Sequence, residues 1–268
     1  MIVGVSSRFS LKVLTGVGKP LGPRGKKAMV DLIIDGVPVQ VPAGTSILEA
    51  VLRTGREIPH FCYHPKLNVV GSCRVCQVEV QGTPKLAISC ATPVAEGMEV
   101  STASERVTKA RKAVLEFLLL NHPLDCPVCD KGGECPLQDY TLKYGPGESR
   151  FVEEKVHRVK HQPIGPFVIF DAERCILCSR CVRFCQEIVG TSELGVFNRG
   201  DRSVIGLFPG RSLDNRYSGN VIDLCPVGAL TSRDYRFKSR PWDLVKHVPS
   251  VCSLCSAGCN IVVDVRHK

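Results

Sequence analysis

The stretch that follows residue 28 alternates apolar and polar positions in a way that predicts two strands and a helix. The run VDLIIDGVPVQV indicates a β-hairpin that turns at Asp35-Gly36, because this dipeptide favours the positive φ angles of a tight turn. Ser46 and Glu49 have the spacing of a capping box, which predicts a helix start, and Gly55 predicts the end of that helix.

A second group of strands is predicted after this helix. Alternation marks a strand over Gln77–Val80, a turn follows at Gly82, and a further strand reaches Cys90. A hairpin, a helix, a loop and return strands in this order predict an α+β fold whose first domain is a β-grasp.

A longer helix is expected next. Thr102 and Glu105 have the spacing of another capping box, and the helix is expected to reach Leu120. Its apolar face is predicted to consist of Val107, Ala110, Val114, Phe117 and Leu118.

Regular patterning weakens beyond this helix. Residues 140–170 are rich in glycine, proline and charge, which predicts a connector with at most short strands and a domain boundary near residue 160. The later run LGVFNRGDRSVIGLF predicts a hairpin that turns at Gly200-Asp201.

Composition is that of a globular protein. The 268 residues have room for roughly two domains, 44% are apolar and 23% are charged. No apolar run approaches the ~18 residues that a membrane helix needs, so membrane contact is expected only through a partner.

The net charge of +9 comes mostly from one end of the chain, since residues 1–27 supply six cations and no acid. Such blocks are more often solvated than bound, so residues 1–28 are expected to form a disordered basic tail rather than a nucleic-acid site. A transit-type sequence, or a start at Met29, is the alternative for this tail.

Fifteen cysteines are the unusual feature of the composition, and their number is odd. Twelve fall into four groups at 73/76, 126/129/135, 175/178/181/185 and 252/255/259, while Cys62, Cys90 and Cys225 stand apart. Repeated C-x2-C pairs in a chain of this length favour metal ligation over a secreted disulfide scaffold, and therefore a reducing compartment.

The first candidate ligand set lies in the predicted β-grasp with the spacing C-x10-C-x2-C-x13-C. Its members are Cys62, Cys73, Cys76 and Cys90. Four thiolates suit an iron–sulfur cluster or a zinc ion, and the β-grasp favours [2Fe–2S], although the first gap departs from the plant-type spacing. His60 and His64 flank Cys62 and are predicted to make loop hydrogen bonds rather than to be ligands.

The second candidate set is the stretch NHPLDCPVCDKGGEC, with the order H-x3-C-x2-C-x5-C. Its members are His122, Cys126, Cys129 and Cys135. A lone histidine at a helix end usually interacts with the last carbonyls, but here it supplies the fourth ligand that three cysteines lack. Gly132 and Gly133 are expected to let backbone N–H groups approach the sulfurs.

The third candidate set begins with CILCSRCVRFC, whose C-x2-C-x2-C-x3-C spacing is that of bacterial [4Fe–4S] ferredoxins. In that pattern proline follows the fourth cysteine, but here Gln186 follows Cys185 and the C-P dipeptide is Cys225-Pro226. The predicted ligands are Cys175, Cys178, Cys181 and Cys225. Cys185 is predicted to be a buried spare thiol.

Three more cysteines, Cys252, Cys255 and Cys259, have the spacing C-x2-C-x3-C, and no fourth cysteine follows. His267 is predicted to be exposed rather than a ligand. The chain is then a fragment, or another polypeptide completes the site, or the three thiols bind weakly or not at all.

These motifs in this order resemble the family of the iron–sulfur (G) subunit of NADH-quinone oxidoreductase, the respiratory complex I, over roughly residues 29–268. The resemblance implies a [2Fe–2S] cluster on the first set and [4Fe–4S] clusters on the second and third sets. The last three cysteines look like the start of a molybdopterin-oxidoreductase domain, in which a further [4Fe–4S] cluster is possible.

The resemblance implies the following segments: a basic tail over 1–28, a [2Fe–2S] domain over 29–104, a His/Cys3 [4Fe–4S] segment over 105–145, a [4Fe–4S] ferredoxin-like domain over 160–240, and a truncated Mo/W bis-MGD-type domain over 245–268.

The same resemblance implies a relay that takes electrons from a flavin-bearing, NADH-oxidising partner and passes them toward a quinone-side iron–sulfur partner, coupled in the whole complex to proton translocation. It implies a peripheral arm at the cytoplasmic face of the inner (plasma) membrane, or an organellar matrix if the tail is a transit peptide. No dinucleotide fingerprint or nucleophile–base set is present, so no substrate site is expected in this chain.

Two alternatives remain at this point. Similar modules occur in NAD-linked hydrogenases and formate dehydrogenases, so the same relay can serve another enzyme. Pairs of C-x2-C with a basic tail also suit a zinc-stabilised module that binds nucleic acid or protein.

Overall fold

A computed structural model describes residues 28–266. Residues 1–27 of the tail predicted over 1–28, and the expectation for His267, lie outside the described residues. A five-stranded mixed sheet forms the first part of the chain, in the order β2-β1-β5-β3-β4, with β1 parallel to β5 and the other pairs antiparallel. Its strands are β1 Met29–Ile34, β2 Val37–Pro42, β3 Gln77–Val80, β4 Ala87–Ile88 and β5 Met98–Ser101.

The predicted hairpin at Asp35-Gly36 is confirmed. Ile34 pairs with Val37, and Asp35 and Gly36 have φ angles of 48° and 77°, so both turn residues are in the left-handed region. Gly36 adopts this conformation without a Cβ penalty.

The capping box at the start of α1, Ile47–Arg53, is also confirmed. Ser46 Oγ accepts from Glu49 N at 3.2 Å, and Glu49 Oε2 accepts from Ser46 N at 3.1 Å. Gly55 follows the helix with φ 76°. α1 packs on the sheet in a core of Leu32, Ile34, Val41, Ile47, Leu48, Ala50, Val51, Ile58, Tyr63, Cys76, Val78, Val80, Cys90, Val94 and Val100.

The capping box predicted at Thr102 is wrong. The second helix, α2, spans Glu105–Leu119, and Ser104 Oγ accepts from Val107 N. Thr102 instead donates its N–H and its hydroxyl to the carboxylate of Asp35, both at 2.7 Å. A partner distant in sequence therefore takes the side chain that local spacing assigned to the cap.

The buried face of α2 differs from the prediction at three positions. Phe117 is 72% exposed, whereas Arg111 is 3% exposed and Leu115 is fully buried. Arg111 donates to the carbonyl oxygens of Gln77 and Thr102 and lies 4.9 Å from the ring centre of Tyr144. Buried backbone acceptors and an aromatic ring thus bind a charged side chain on the inner face.

A third helix, α3 over Pro136–Tyr144, is absent from the predicted elements. It begins at a proline, which is favoured at the first helical position because no intrahelical partner exists there for an N–H. The connector predicted from residue 140 therefore begins after this helix. The strands that the structure places within it, β6 Gln162–Pro163 and β7 Val168–Phe170, are short, in agreement with the expected upper limit.

The remaining helices and strands are α4 Arg180–Arg183, continued by a π-helix over Phe184–Val189, β8 Leu194–Phe197, β9 Val204–Leu207, α5 Asn220–Leu224, β10 Leu230–Ser232, β11 Leu244–Val251 and β12 Asn260–Arg266. Strands β6 to β12 form three small antiparallel sheets, which are β10-β7-β6, β8-β9 and β11-β12. The predicted hairpin is confirmed as β8-β9, whose turn contains Gly200-Asp201.

Contacts divide the described chain into two compact units. One comprises residues 28–118 and Tyr140–Phe151, and the other comprises Leu119–Asp139 and residues 152–266. Residues 105–145, expected as a segment of their own, are shared between the two units, and the domain limits stay predictions. No helix in residues 28–266 is long and apolar enough to cross a membrane.

Candidate metal centres

The first cysteine set forms one connected group in the unit that contains the five-stranded sheet. The Cys62 thiol hydrogen-bonds to those of Cys73 and Cys90, and the Cys76 thiol hydrogen-bonds to that of Cys90. Cys62, Cys76 and Cys90 are buried and Cys73 is partly buried. The four side chains predicted as ligands therefore meet.

The backbone around this set supplies donors to the sulfurs. The N–H of Val75 donates to Cys73 and that of Cys73 donates to Cys62. Arg74, with φ 59°, turns the chain between them. The hydroxyl of Ser89, which is fully buried, donates to the Cys76 carbonyl at 2.7 Å.

Proton sharing splits the pKa values of the four thiols. The hydrogen bond from Cys90 lowers the pKa of Cys76 to about 7, and hydrogen bonds from Cys73 and Cys90 hold the pKa of Cys62 well below its usual range. Hydrogen bonding to Cys62, together with burial, raises the pKa values of Cys73 and Cys90. Cys62 and Cys76 are therefore the thiols that lose their protons first.

The histidines next to Cys62 make the loop contacts expected of them. His60 Nδ1 lies 2.8 Å from the Ile58 carbonyl oxygen, and its ring packs edge-on against Tyr63. His64 Nδ1 accepts from Lys66 N at 3.2 Å.

The second set lies in the other unit, on the loop between α2 and α3. His122 N donates to Leu119 O at the end of α2, so the histidine follows the helix as predicted. Cys126 begins a 3₁₀ turn over Cys126–Val128, and Cys135 directly precedes α3. Cys135 is buried, Cys129 is partly buried and Cys126 is exposed.

Backbone N–H groups reach the sulfurs of this loop, as expected, but they are not those of the two glycines. Gly132 N donates to Cys129 O at 2.9 Å and Gly133 N to Gln138 Oε1 at 3.3 Å, so neither approaches a sulfur. The donors are instead the N–H of Lys131, to Cys129, and those of Leu137 and Gln138, to Cys135. N–H groups in the first turn of a helix have no carbonyl partner within the helix, and those of Leu137 and Gln138 reach the Cys135 sulfur instead.

The environment of His122 keeps its imidazole neutral. Burial lowers the pKa of His122 to about 4, and the positive charges of Arg174 and Lys155 act in the same direction. A neutral imidazole has a free nitrogen lone pair at pH 7, as a metal ligand requires.

The third set surrounds a cavity in the same unit. Cys175, Cys178, Cys181 and Cys225 all line it, and most of the other lining side chains are apolar: Phe170, Ile176, Ile205, Val227, Ala229 and Leu230. Burial raises the pKa of Cys175 to about 12 and that of Cys181 well above its usual range.

Cys185 does not line this cavity. It is fully buried, and its thiol donates to the carboxylate of Glu193. Burial, with the negative charge of Glu193, raises the pKa of Cys185 to about 12.

The backbone of the C-x2-C-x2-C run is bent by two residues in the left-handed region, Leu177 at φ 54° and Ser179 at φ 57°. Leu177 N lies 3.4 Å from Cys175 Sγ. Alternating right- and left-handed residues turn successive N–H groups toward one side, which creates a concave anion site.

The segment Cys225–Gly228 touches both of these sets. Cys225 lines the cavity, while a Cβ added at Gly228 would lie 2.1 Å from Cys129 Sγ. The Cys135 thiol points at Pro226 O, 3.9 Å away. Only a glycine fits against the Cys129 sulfur at this position.

A charged cluster that the sequence analysis missed lies beside the second set. Arg174, which is 2% exposed, donates from Nε to Asp125 Oδ2 at 2.9 Å, and Lys160 Nζ lies 2.7 Å from the same oxygen and from Glu173 Oε2. The available signal was position, because Asp125 directly precedes Cys126 and Arg174 directly precedes Cys175.

A second group of missed residues clamps the same loop from residues 237–243. Arg240 donates to the carbonyl oxygens of Cys129 and Pro127, and Phe237 N donates to Asp130. The Trp242 ring lies so close to Gly133 that an added Cβ would be 2.9 Å from it. The loop is therefore tied at several points to a distant segment of the chain.

The last three cysteines lie at the connection between β11 and β12. Cys252 N donates to Cys259 O at 2.8 Å, Cys252 is partly buried, and Cys255 and Cys259 are exposed. They are close in the chain but not enclosed.

The donor sets fit iron–sulfur clusters in type and surroundings. Each of the first three sets offers four thiol or imidazole ligands and has backbone N–H groups directed at sulfur. The apolar cavity at the third set and the glycine contact at the second supply closely fitted walls.

Three family models match the chain. They are described as a 2Fe-2S iron-sulfur cluster binding domain over residues 27–105, the NADH-ubiquinone oxidoreductase-G iron-sulfur binding region over residues 111–150, and the ferredoxin-like domain of NADH-quinone oxidoreductase subunit 3 over residues 165–231. The chain thus contains 2Fe-2S and 4Fe-4S binding domains in an α+β architecture.

Curated relatives and one solved structure agree with these matches. The G subunit of NADH-quinone oxidoreductase from Rickettsia typhi is 46% identical over 89% of this chain, and the mitochondrial NADH-ubiquinone oxidoreductase 78 kDa subunit of Neurospora crassa is 50% identical over 90%. The matches cover 35% and 32% of those proteins, so the chain spans about a third of their length.

A chain of an NAD+-reducing [NiFe]-hydrogenase, in a crystal structure of its H2-reduced state, superposes with a TM-score of 0.71 at 33% identity, covering 79% of this chain and 91% of the other. Taken with the motif order and the family models, these matches show that the chain belongs to the family of the NADH-quinone oxidoreductase G subunit.

Proposed function

We propose that this chain carries three iron–sulfur clusters and relays single electrons between them. The [2Fe–2S] ligands are Cys62, Cys73, Cys76 and Cys90. The ligands of one [4Fe–4S] cluster are His122, Cys126, Cys129 and Cys135, and those of the other are Cys175, Cys178, Cys181 and Cys225.

The observation that carries this proposal is the cavity at the third set. Four cysteines from two distant parts of the chain line it, whereas Cys185, which is closer in sequence, donates to Glu193. That arrangement supports the displaced Cys225 as the fourth ligand, as the C-P dipeptide predicted.

Bound at these positions, iron–sulfur clusters supply one-electron carriers. The chain's own residues hold them, exclude water with apolar side chains such as Ile205 and Val227, and direct N–H groups at the sulfurs. Such donors stabilise the added negative charge of a reduced site and so influence its potential.

The direction of electron flow follows from the proposed parent complex. Electrons enter from a flavin-bearing partner that oxidises NADH and leave toward a quinone-side iron–sulfur partner, and the whole complex couples this transfer to proton translocation. The chain then lies in a peripheral arm, at the cytoplasmic face of the inner membrane or in an organellar matrix, and partner subunits connect it to the membrane.

A second parent complex is supported by one observation, the likeness to a chain of an NAD+-reducing [NiFe]-hydrogenase. In that case the same relay serves hydrogen oxidation. Purification from the native source under mild conditions separates the two. We expect flavin- and quinone-side subunits to copurify, and a nickel-containing subunit would overturn the complex I assignment.

For Cys252, Cys255 and Cys259 we propose an incomplete [4Fe–4S] set that needs a fourth ligand from outside these three thiols. Exposure of Cys255 and Cys259 leaves them accessible to such a ligand.

The cluster proposal is tested by anaerobic reconstitution with iron and sulfide, metal analysis and EPR. We expect iron and acid-labile sulfide in the amounts of one [2Fe–2S] and two [4Fe–4S] clusters, with the corresponding signals on reduction. A colourless protein that holds zinc without sulfide would overturn the proposal in favour of a zinc-stabilised module.

A further inference from the structure

An ion pair connects the loops of the two [4Fe–4S] sites. Arg174 Nε lies 2.9 Å from Asp125 Oδ2, and Arg174 Nη2 lies 2.8 Å from the same oxygen. Arg174 Nε also lies 3.4 Å from Asp171 Oδ2. Arg174 is 2% exposed, and it is among the largest fully buried side chains of the described chain. A buried charge of this kind acts over short distances with little screening by water.

Arg174 lies close to Cys129, one of the ligands of the second set. A Cβ added at Gly228 would meet Cys129 Sγ at 2.1 Å and Arg174 Cδ at 3.6 Å, so the sulfur and the arginine stem both border this glycine. The positive charge of Arg174 also acts to lower the pKa values of His122 and Cys129.

Lys160 is the second cation in this group of charged side chains, and its position differs from that of Arg174. Lys160 Nζ lies 2.7 Å from Asp125 Oδ2, 2.7 Å from Glu173 Oε2 and 3.5 Å from Asp171 Oδ2. It pairs with the same carboxylates as Arg174, but it is the Arg174 side chain whose Cδ borders Gly228 beside the Cys129 sulfur. Substituting each of the two cations in turn therefore separates the effect of total charge from the effect of where the charge lies.

We propose that Arg174 is an electrostatic tuning residue that raises the midpoint reduction potential at His122, Cys126, Cys129 and Cys135, and that Asp125 limits this increase. The inference rests on the cluster assignment proposed above. One-electron reduction adds one negative charge at the site, and a nearby buried cation stabilises the reduced form more than the oxidised form. A nearby carboxylate acts in the opposite direction.

The test is the midpoint potential of the reconstituted 268-residue chain, followed by EPR with dithionite as the electron donor. Nitrogen coupling from the histidine identifies the signal of the second set. R174M is expected to shift the midpoint of this signal downward. K160M removes the same charge from the same group of charged side chains and is expected to shift the midpoint less. Equal shifts, or none, would overturn the tuning role of Arg174.

A second variant covers a failure of R174M to fold, since that substitution leaves two carboxylates without their buried partner. D125N keeps Arg174 and removes a negative charge, so it is expected to shift the same midpoint upward. A downward shift or an unchanged midpoint would contradict the inference.

A reciprocal control uses Arg158, whose charge acts on Cys175. R158M is expected to lower the midpoint at the third set and to leave that of the second set unchanged. If the unaltered chain gives no histidine-coupled signal, the proposed function fails; if it gives the signal and the R174M midpoint is unshifted, only the present inference fails.

Discussion

His122 is the side chain that distinguishes the second set from an ordinary four-cysteine site. Its neutral imidazole follows from burial and from the nearby charges of Arg174 and Lys155. Replacing a thiolate ligand by imidazole removes one negative charge from the site, and the comparison of Rieske centres with four-cysteine ferredoxins shows that this change raises the potential.

Restoring the thiolate is therefore expected to reverse the effect. H122C retains a cluster at the second set and lowers its midpoint potential, as measured by EPR at controlled potentials. H157C, at an exposed histidine paired with Glu173, is the control and leaves the midpoint in place. A midpoint in H122C that is equal to or above that of the unaltered chain would contradict the assignment of His122 as a ligand.

Cys185 and Cys225 provide a matched pair of substitutions at the third set. C225S is expected to lose most of the [4Fe–4S] signal of that set, because it removes a thiol that lines the cavity. C185S is expected to retain the iron content, because that thiol donates to Glu193.

Iron and sulfide per chain, measured for both variants after identical reconstitution, check this expectation. Loss of iron in C185S with retention in C225S would reverse the ligand assignment. Loss in both variants beyond one cluster would point to a folding defect, which circular dichroism separates from ligand loss.

At the scale of elements, the features that were predicted correctly depend on contacts within a few residues. The turn at Asp35-Gly36 and the capping box of Ser46 and Glu49 each involve neighbours in the chain, so the sequence alone specifies them. The cap at Thr102 was wrong because Asp35, 67 residues away, binds its hydroxyl.

The missed features of the helices have the same origin. α3 follows Cys135 directly and is only nine residues long, so its apolar pattern is too short to be separated from a cysteine loop. Arg111 is buried on α2 because it meets the backbone oxygens of Gln77 and Thr102 and the Tyr144 ring, and none of these partners can be read from helical spacing.

The segment from Cys225 to Gly228 is the element on which two sites depend. G228A is expected to displace Cys129 and to reduce the iron bound at the second set, because the added Cβ would lie 2.1 Å from Cys129 Sγ. G219A is the control, since a Cβ there meets no atom within 4 Å.

Histidine-coupled EPR intensity per chain is the measurement for this pair. Full intensity in G228A would show that the segment shifts without cost to the second set and would contradict the expectation. An equal loss in G219A would indicate a general sensitivity of the unit to alanine.

At the scale of the whole molecule, folding and cluster binding are expected to depend on each other. Most of the cysteine ligands proposed for the first three sets are buried, and burial raises the pKa of Cys135 to about 11 and that of Cys175 to about 12. Metal binding deprotonates such thiols and adds its free energy to the folded state only.

Removal of iron with a chelator under reducing, anaerobic conditions is therefore expected to lower the thermal midpoint. A loss of about 1–2 kcal/mol corresponds to a decrease of several degrees, since each kcal/mol shifts a protein of this size by roughly 2–4 °C. Calorimetry before and after chelation measures it, and added iron and sulfide are expected to restore it. An unchanged midpoint would mean that the metal contributes nothing to stability.

The candidate ligands could be chosen from the sequence because their spacing is a local property of the chain, as in Cys175, Cys178 and Cys181. The residues that surround the candidate ligands could not be predicted in this way. Asp125 and Arg174 are 49 residues apart and Arg240 is 111 residues from Cys129, so only the folded chain brings them together.

Because Gly228 approaches Cys129 closely, the covalent segment from Cys225 to Gly228 limits the distance between the two sites. Three peptide steps separate Cys225, which belongs to one site, from Gly228, which borders the other, and an extended chain of that length spans at most about 11 Å between Cα atoms. Every residue inserted here would lengthen that connection. Loops elsewhere in the unit can change in length without this effect, so over evolutionary time insertions and deletions are expected to be excluded from these four positions more strictly than from the turns around them.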